Sequence, residues 1–269
     1  MAEKVIKKGP LDAINSYYDH IYVISIARNL ETRQKKLEKN LNGLKYTLFP
    51  GVDGKELTED DLSQCYNDIE ARRLFAAYCA KAFESTVDRS FTKSEIGCAL
   101  SHLAVYKDML ENNFEKVLIL EDDARIEFHL ADKIAEAIHE IPENCDLLYW
   151  GYRWYDSESF LSSLKRKWLL TPLYMIFGKT GYIKNPFNER YPSKFKQLIK
   201  HAGYHCGTHA YGINREAATK LIQVNTPMIM CADQLFTYCY EKKILSCYVT
   251  TPLFFREDQS MPSSIVEKS

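Results

Sequence analysis

The chain has 269 residues, enough to bury one substantial core. Apolar residues make up 46% and charged residues 26%, and the net charge is −1. That balance argues against a polyanion binder, so no nucleic-acid partner is expected. No apolar run approaches the length of a transmembrane helix. The opening MAEKVIKKGPLDAINSYYDH lacks the apolar stretch of a secretory signal, and the final SSIVEKS carries no retention or lipidation signal. A cytoplasmic protein is the expectation. The eight cysteines, none in a CxxC, are then expected to be free thiols.

In chain order, HIYVISIARN (residues 20–29) predicts a first buried strand. Residues 30–43 predict a helix with a Leu30, Leu37 and Leu41 stripe, closed by Gly43. Residues 45–49 predict a short strand, and PGVDGKEL a loop. Residues 58–85 are helical in pattern, as are residues 92–113, for which Ser94 is the expected N-cap. KVLILEDDARI (residues 116–126) follows as an apolar strand ending in three acids. A helix at residues 131–141, strands at 146–154 and 205–214, helices at 215–223 and 231–243, and a last strand at 244–255 complete the pattern. Strands alternating with helices predict an α/β protein with a mainly parallel sheet flanked by helices. Residues 161–204 break the rhythm. Lysines and arginines from Lys165 to Lys200 face a single acid, Glu189, with aromatics from Trp168 to Phe195 interleaved. This reads as a basic aromatic insertion. It is either a solvated segment with a small core of its own or a surface for anionic headgroups and sugars.

Ligands of open α/β sheets bind beyond the carboxyl ends of strands, where Glu121, Asp122 and Asp123 fall. Three clustered carboxylates repel unless a cation intervenes, and Mg²⁺ or Mn²⁺ held by one or two of them and a substrate phosphate is the usual arrangement. On extended backbone Glu121 and Asp123 point one way and Asp122 the other. A solvated turn or an acidic helix start is the alternative. Arg28 and Arg33 follow the first strand and suit a diphosphate if the two strands are parallel neighbours, surface ion pairs otherwise. Ser94 and Glu95 open a helix and could offer backbone N–H groups to a phosphate, or simply cap it. His102 reads as a core histidine, with a catalytic role as the alternative. His201, His205 and His209 with Cys206 suggest a zinc cluster, but Gly203 and Gly207 argue for extended chain on which His205 and His209 share a face.

SIARNLETR, GVDGKEL, SEIGCALSHLAVYKDML, VLILEDDARI and HAYGINREAATKLI, in that order, resemble glycosyltransferase family 25, which includes bacterial lipooligosaccharide galactosyltransferases and collagen galactosyltransferases. The resemblance covers roughly residues 20–155 and 204–255. It implies a GT-A-like, Rossmann-type fold, a UDP-galactose donor, inversion at the anomeric carbon, and Mn²⁺ or Mg²⁺ at EDD in place of a literal DxD. Metal would fall to Asp123 with Glu121 or else Asp122, helped by a late histidine, His209. Donor contacts would fall to Arg28, Asp53 in loop 52–54, Ser94, Glu95 and Asp122. An inverting transferase needs a base. Asp233, an acid in the apolar MCADQLF, is the candidate, with a helix N-cap as its alternative. The expectation is a single glycosyltransferase domain over residues 1–269. Residues 20–155 would bind the nucleotide-sugar, 156–204 form the insertion, and 205–255 serve acceptor and catalysis. The acceptor would be a saccharide or lipid-linked oligosaccharide of lipooligosaccharide or lipopolysaccharide biosynthesis, joined by a β-1,4 linkage, at the inner face of a membrane that residues 161–204 touch peripherally. A metal-dependent phosphohydrolase and a non-catalytic nucleotide-sugar or glycan-binding module are the rival classes.

Overall fold

The structure, a computed structural model, describes residues 9–82, 85, 87–153 and 191–261. Eight strands form its main sheet, in the order β2-β1-β3-β8-β5-β9-β7-β6. They are β1 (His20–Ser25), β2 (Thr47–Pro50), β3 (Lys116–Glu121), β5 (Leu147–Arg153), β6 (Ser193–Lys194), β7 (Ile199–His201), β8 (Cys206–Asn214) and β9 (Cys247–Thr250). β4 (Ala124–Ile126) and β10 (Phe255–Glu257) pair separately as an antiparallel ribbon.

β1 lies parallel to both β2 and β3, and β5 parallel to β9. β8 is antiparallel to both its neighbours, β3 and β5, and β7 is antiparallel to β9 and β6. The α/β expectation holds, and β7 and β8 alone run against the common direction. β8 matters most for the site. Because it runs backwards, its amino end lies at the carboxyl end of β3. The register pairs Leu120 with Ala210, so the next residues in line are Glu121 and His209.

β3 shows why the apolar run was needed. Val117, Leu118, Ile119 and Leu120 are all at 0% exposure. Alternate residues enter different cores. Val117 and Ile119 join Tyr22, Ile24 and Ile213 on one face, under α5 (Lys93–Glu111) and α7 (Arg215–Val224). Leu118 and Leu120 join Ile21, Val23 and Trp150 on the other. That face is covered by α1 (Asp12–Tyr17), α2 (Ala27–Asn40) and α6 (Ile134–Glu140). Two further helices, α3 (Glu59–Cys65) and α4 (Asp68–Ala82), border a smaller cluster around Phe75, Phe91 and Met228. The last helix is α8 (Ala232–Glu241).

Three details depart from the sequence expectation. Thr92, not Ser94, is the N-cap of α5: its hydroxyl accepts from Glu95 N, and Glu95 reaches back to Thr92 N at 2.7 Å. That reciprocal box satisfies two of the helix's orphan donors, which a cap at Ser94 would leave open. The expected last strand splits into β9 and β10 around Pro252, whose nitrogen cannot join a ladder. Finally, the end of the expected insertion is part of the sheet, since β6 and β7 extend its edge. Lys165, Arg166, Lys167 and the rest of residues 154–190 lie outside the described residues. Among the described residues no helix is long and apolar enough to cross a membrane.

Candidate active site

Four chain ends meet above the sheet: the carboxyl ends of β1 and β3, the amino end of β8 and the first turn of α8. Three adjoining cavities result. The loop-side cavity, about 90 Å³, is lined by Arg28, Asp53, Ser94, Asp122 and Asp123 among others. The central one, about 560 Å³, is walled by Glu121, Asp123, His209 and Asp233 and by the apolar flank of Phe75 and Tyr78. The third, about 850 Å³, holds Arg125, Arg153, His209 and Arg256.

The loop after β2 sits directly on α5. A Cβ at Gly54 would come within 2.0 Å of the Lys93 carbonyl, and one at Gly97 within 2.6 Å of Gly54 N. Glycine at both positions lets the two backbones touch, which ties GVDG to EIG and explains their joint presence. Arg28 Nε meets Asp53 Oδ2 at 3.1 Å, so these two candidates stand together beside Ser94. Glu95 is elsewhere. It faces the central cavity and is bound by Thr92 and by both terminal nitrogens of Arg89 at 2.7 and 2.6 Å.

The three acids have three different fates. Asp122 is buried, with Oδ2 accepting from Ser25 Oγ at 2.7 Å and Oδ1 paired to the equally buried Arg33. Both oxygens are engaged, so Asp122 and Arg33 hold β1, α2 and β3 together where they line the loop-side cavity. Glu121 accepts from Thr208 and lies 3.7 Å from His102 Nε2. Burial pushes its carboxyl up, but His102, Thr208 and His209 outweigh this and hold it down at about 2. His102 is itself a buried histidine bonded through Nδ1 to Tyr211 at 2.7 Å, and it positions Glu121. Asp123 is different. Burial, then the charges of Glu121 and Asp122, push it up to about 7 despite Arg33 and Arg153, and its Oδ1 is buried with no hydrogen-bond partner.

His209 shares that condition. Burial pushes its imidazole down to about 4, although the Phe255 carbonyl acts on the ring in the opposite sense, so it is neutral, and Nε2 is buried without a well-formed hydrogen bond. Gly151 on β5 makes room for it: a Cβ there would lie 2.5 Å from Nε2. One carboxylate oxygen and one neutral imidazole nitrogen, neither with a well-formed hydrogen bond and both on residues that line the central cavity, are a donor pair that Mn²⁺ accepts readily. Among the described residues no three His, Cys, Asp or Glu side chains form a closed metal cluster. The pair therefore fits an open site completed by substrate oxygens rather than an all-protein cage. His201 and His205 do not join it. His201 packs on Tyr248, with ring centroids 5.0 Å apart, and His205 Nε2 accepts from Gly203 N at 2.8 Å.

Asp233 lies in the first turn of α8, whose N-cap is Cys231. Its oxygens accept from Gln234 N at 2.8 Å and Gly207 N at 3.3 Å, and burial raises its pKa. The geometry gives a fixed carboxylate of enhanced basicity on the central cavity. Thr208, Arg153 and Glu257 also belong to the site, and sequence reasoning missed all three. Thr208 gave no signal, since on an alternating strand the neighbour of His209 is expected on the opposite face. Arg153 and its ion-pair partner Glu257 stand more than a hundred residues apart and gave no local signal.

A family model described as "Glycosyltransferase family 25 (LPS biosynthesis protein)" matches residues 18–236. A glycosyltransferase 25 family member of Aedes aegypti is 34% identical over 54% of this chain and 23% of its own length. Human procollagen galactosyltransferase 2 is 28% identical over 86% of this chain and 32% of its own length. The matched segment is thus a quarter to a third of these relatives. A human relative named inactive glycosyltransferase 25 family member 3 is 26% identical over 50% of the chain and 22% of its own length. Apo mouse xyloside xylosyltransferase 1 superposes with a TM-score of 0.37 at 10% identity, covering 86% of this chain and 84% of its own, a likeness too low to carry an argument. The family match covers most of the chain, and the protein belongs to glycosyltransferase family 25.

Proposed function

We propose that the protein transfers galactose from UDP-galactose to a saccharide acceptor, with inversion, and that a divalent cation, Mn²⁺ or Mg²⁺, assists. The observation that carries this reading is the central cavity, lined by Asp123, whose Oδ1 lacks a partner, by His209, whose Nε2 makes no well-formed hydrogen bond, and by Asp233. The galactosyltransferase named among the relatives supports the donor sugar, and the family's description supports a lipopolysaccharide-type acceptor.

Asp123 and His209 would hold the cation, which when bound supplies charge neutralisation of the departing diphosphate. Glu121, fixed by Thr208 and His102, keeps a negative field behind them. The loop of Asp53 and Gly54, with Arg28 and Ser94, receives the nucleoside end of the donor. Asp233 takes the proton of the acceptor hydroxyl as that oxygen attacks the anomeric carbon; the bond from that carbon to the UDP oxygen breaks, and UDP leaves with the electron pair. Burial serves this step because it makes Asp233 a stronger base than an exposed carboxylate. The acceptor is a lipid-linked glycan at the cytoplasmic face of a membrane, and residues 161–204 contact that surface.

The test is UDP release from a panel of UDP-hexoses against a glycan panel, with Mn²⁺ and with EDTA. The reading expects turnover of UDP-galactose that EDTA abolishes. Hydrolysis of a generic phosphoester in place of it would favour a phosphohydrolase, and donor binding without turnover on any acceptor would favour a binding module.

A further inference from the structure

The third cavity is not accounted for by the donor. Among the described residues it shares Arg153, His209 and Glu257 with the central cavity and no lining residue with the loop-side one. At about 850 Å³ it has the size of a small-molecule site. If the nucleoside lies on the loop side and the sugar in the central cavity, the flank beyond His209 is the space left for the acceptor. The inference in this way rests on the transferase reading.

Its outer wall is the β4–β10 ribbon, in which Arg125 and Arg256 are direct cross-strand partners. Like charges directly opposite destabilise a strand pair. One carboxylate lies between them: Glu127 Oε1 is 2.7 Å from Arg125 Nη2 and 4.0 Å from Arg256 Nε. The Arg256 guanidinium makes no hydrogen bond to a described residue, and its side chain is 53% exposed. Arg153, on the inner wall, is paired with Glu257. Two half-exposed guanidinium forks held side by side with one carboxylate between them are a seat for an anion.

We propose that this cavity binds the acceptor and that the acceptor bears an anionic group, a phosphate or a carboxylate, clamped by Arg125 and Arg256. The arrangement selects a charged saccharide over its neutral counterpart. It does so on the far side of His209 from the nucleoside, so donor and acceptor recognition are separate.

Calorimetry on the full chain tests this, with glucose 6-phosphate, glucuronate, glucose and UDP as probes against the parent and an R125S/R256S variant. The parent should bind the two charged sugars tighter than glucose by on the order of tenfold or more. The double variant should lose that preference and keep its UDP affinity. Equal binding of glucose and the charged sugars by the parent, or a preference that survives in the variant, overturns the proposal. A variant that keeps the parent's Tm but loses UDP in parallel also overturns it, because the arginines would then serve the donor diphosphate. Should the serine variant melt early, R125K/R256K carries the test: it keeps both charges and removes the forks. Weakened charged-sugar binding with unchanged UDP affinity in that variant supports the clamp, and unchanged binding of every probe refutes it. Binding does not depend on turnover. A parent that holds charged sugars on these arginines yet never releases UDP from UDP-galactose keeps the anion seat and loses the transferase reading.

Discussion

The two flanks of the site are built on opposite terms. On the loop side the acids named above already have partners: Asp122 has Arg33 and Ser25, and Asp53 has Arg28. Toward the central and outer cavities, Asp123 Oδ1 has none, His209 Nε2 makes no well-formed hydrogen bond, and Arg256 reaches its carboxylate only at 4.0 Å. A buried polar atom without a partner is unfavourable, and its persistence points to a ligand that completes it. The contrast teaches that in one acidic motif neighbouring residues can do opposite work. Asp122 fixes the scaffold, while Asp123 awaits what the scaffold presents.

The sharpest way to break this comparison is at Asp123. Asp123→Asn should cut kcat by on the order of 10²- to 10³-fold, since one strong electrostatic contact is lost. Its Tm should not fall, because no hydrogen bond to Oδ1 is removed. A large drop in Tm in thermal melts would place Asp123 with the scaffold. Asp233→Asn comes next: kcat should fall on the order of 10²-fold with little change in the KM for UDP-galactose, because the base acts on the acceptor. Steady-state kinetics that show the loss in donor KM instead would remove Asp233 from that role.

On the scaffold side, Arg33→Ala leaves Asp122 buried and unpaired, and should cost about 3 kcal/mol in urea unfolding. A variant that unfolds like the parent would mean that Asp122 is not structural. The smallest effect is at Asp258, whose carboxyl is held down at about 2 by hydrogen bonds from Asn40 and Ser260. A depressed carboxyl adds stability that is fully present above its unfolded pKa, near 4, and fades as the pH falls toward 2. Asp258→Asn should therefore lower Tm slightly at neutral pH and leave it unchanged near pH 2, flattening the acid limb of a Tm–pH curve.

Much of this could be read from the sequence, for reasons that differ by residue. β1 and β3 announced themselves because strands buried on both faces need unbroken apolar runs, and α5 because its buried residues recur at helical spacing. The acids at the tip of β3 were visible as charge where an apolar strand ends. Their division of labour was not, since the partner that engages Asp122 is Arg33, 89 positions away. Strand direction was equally hidden. The pattern of residues 205–214 fits either orientation, and periodicity carries no sign. The β4–β10 ribbon escaped because three-residue strands leave no period to count.

The reversed course of β8 bears on how the protein is made. β8 lies between β3 and β5, both of which precede it in the chain. Until residues beyond 206 leave the ribosome, β3 has an open hydrogen-bonding edge made of four fully buried-type residues, Val117 to Leu120. Pairings this distant in sequence form slowly, and unpaired apolar edges recruit other chains. A nascent or truncated chain ending before residue 206 carries the whole acidic motif and no His209. It should collect as an aggregate or on a chaperone, and the central strand is in this sense the late clasp between β3 and β5.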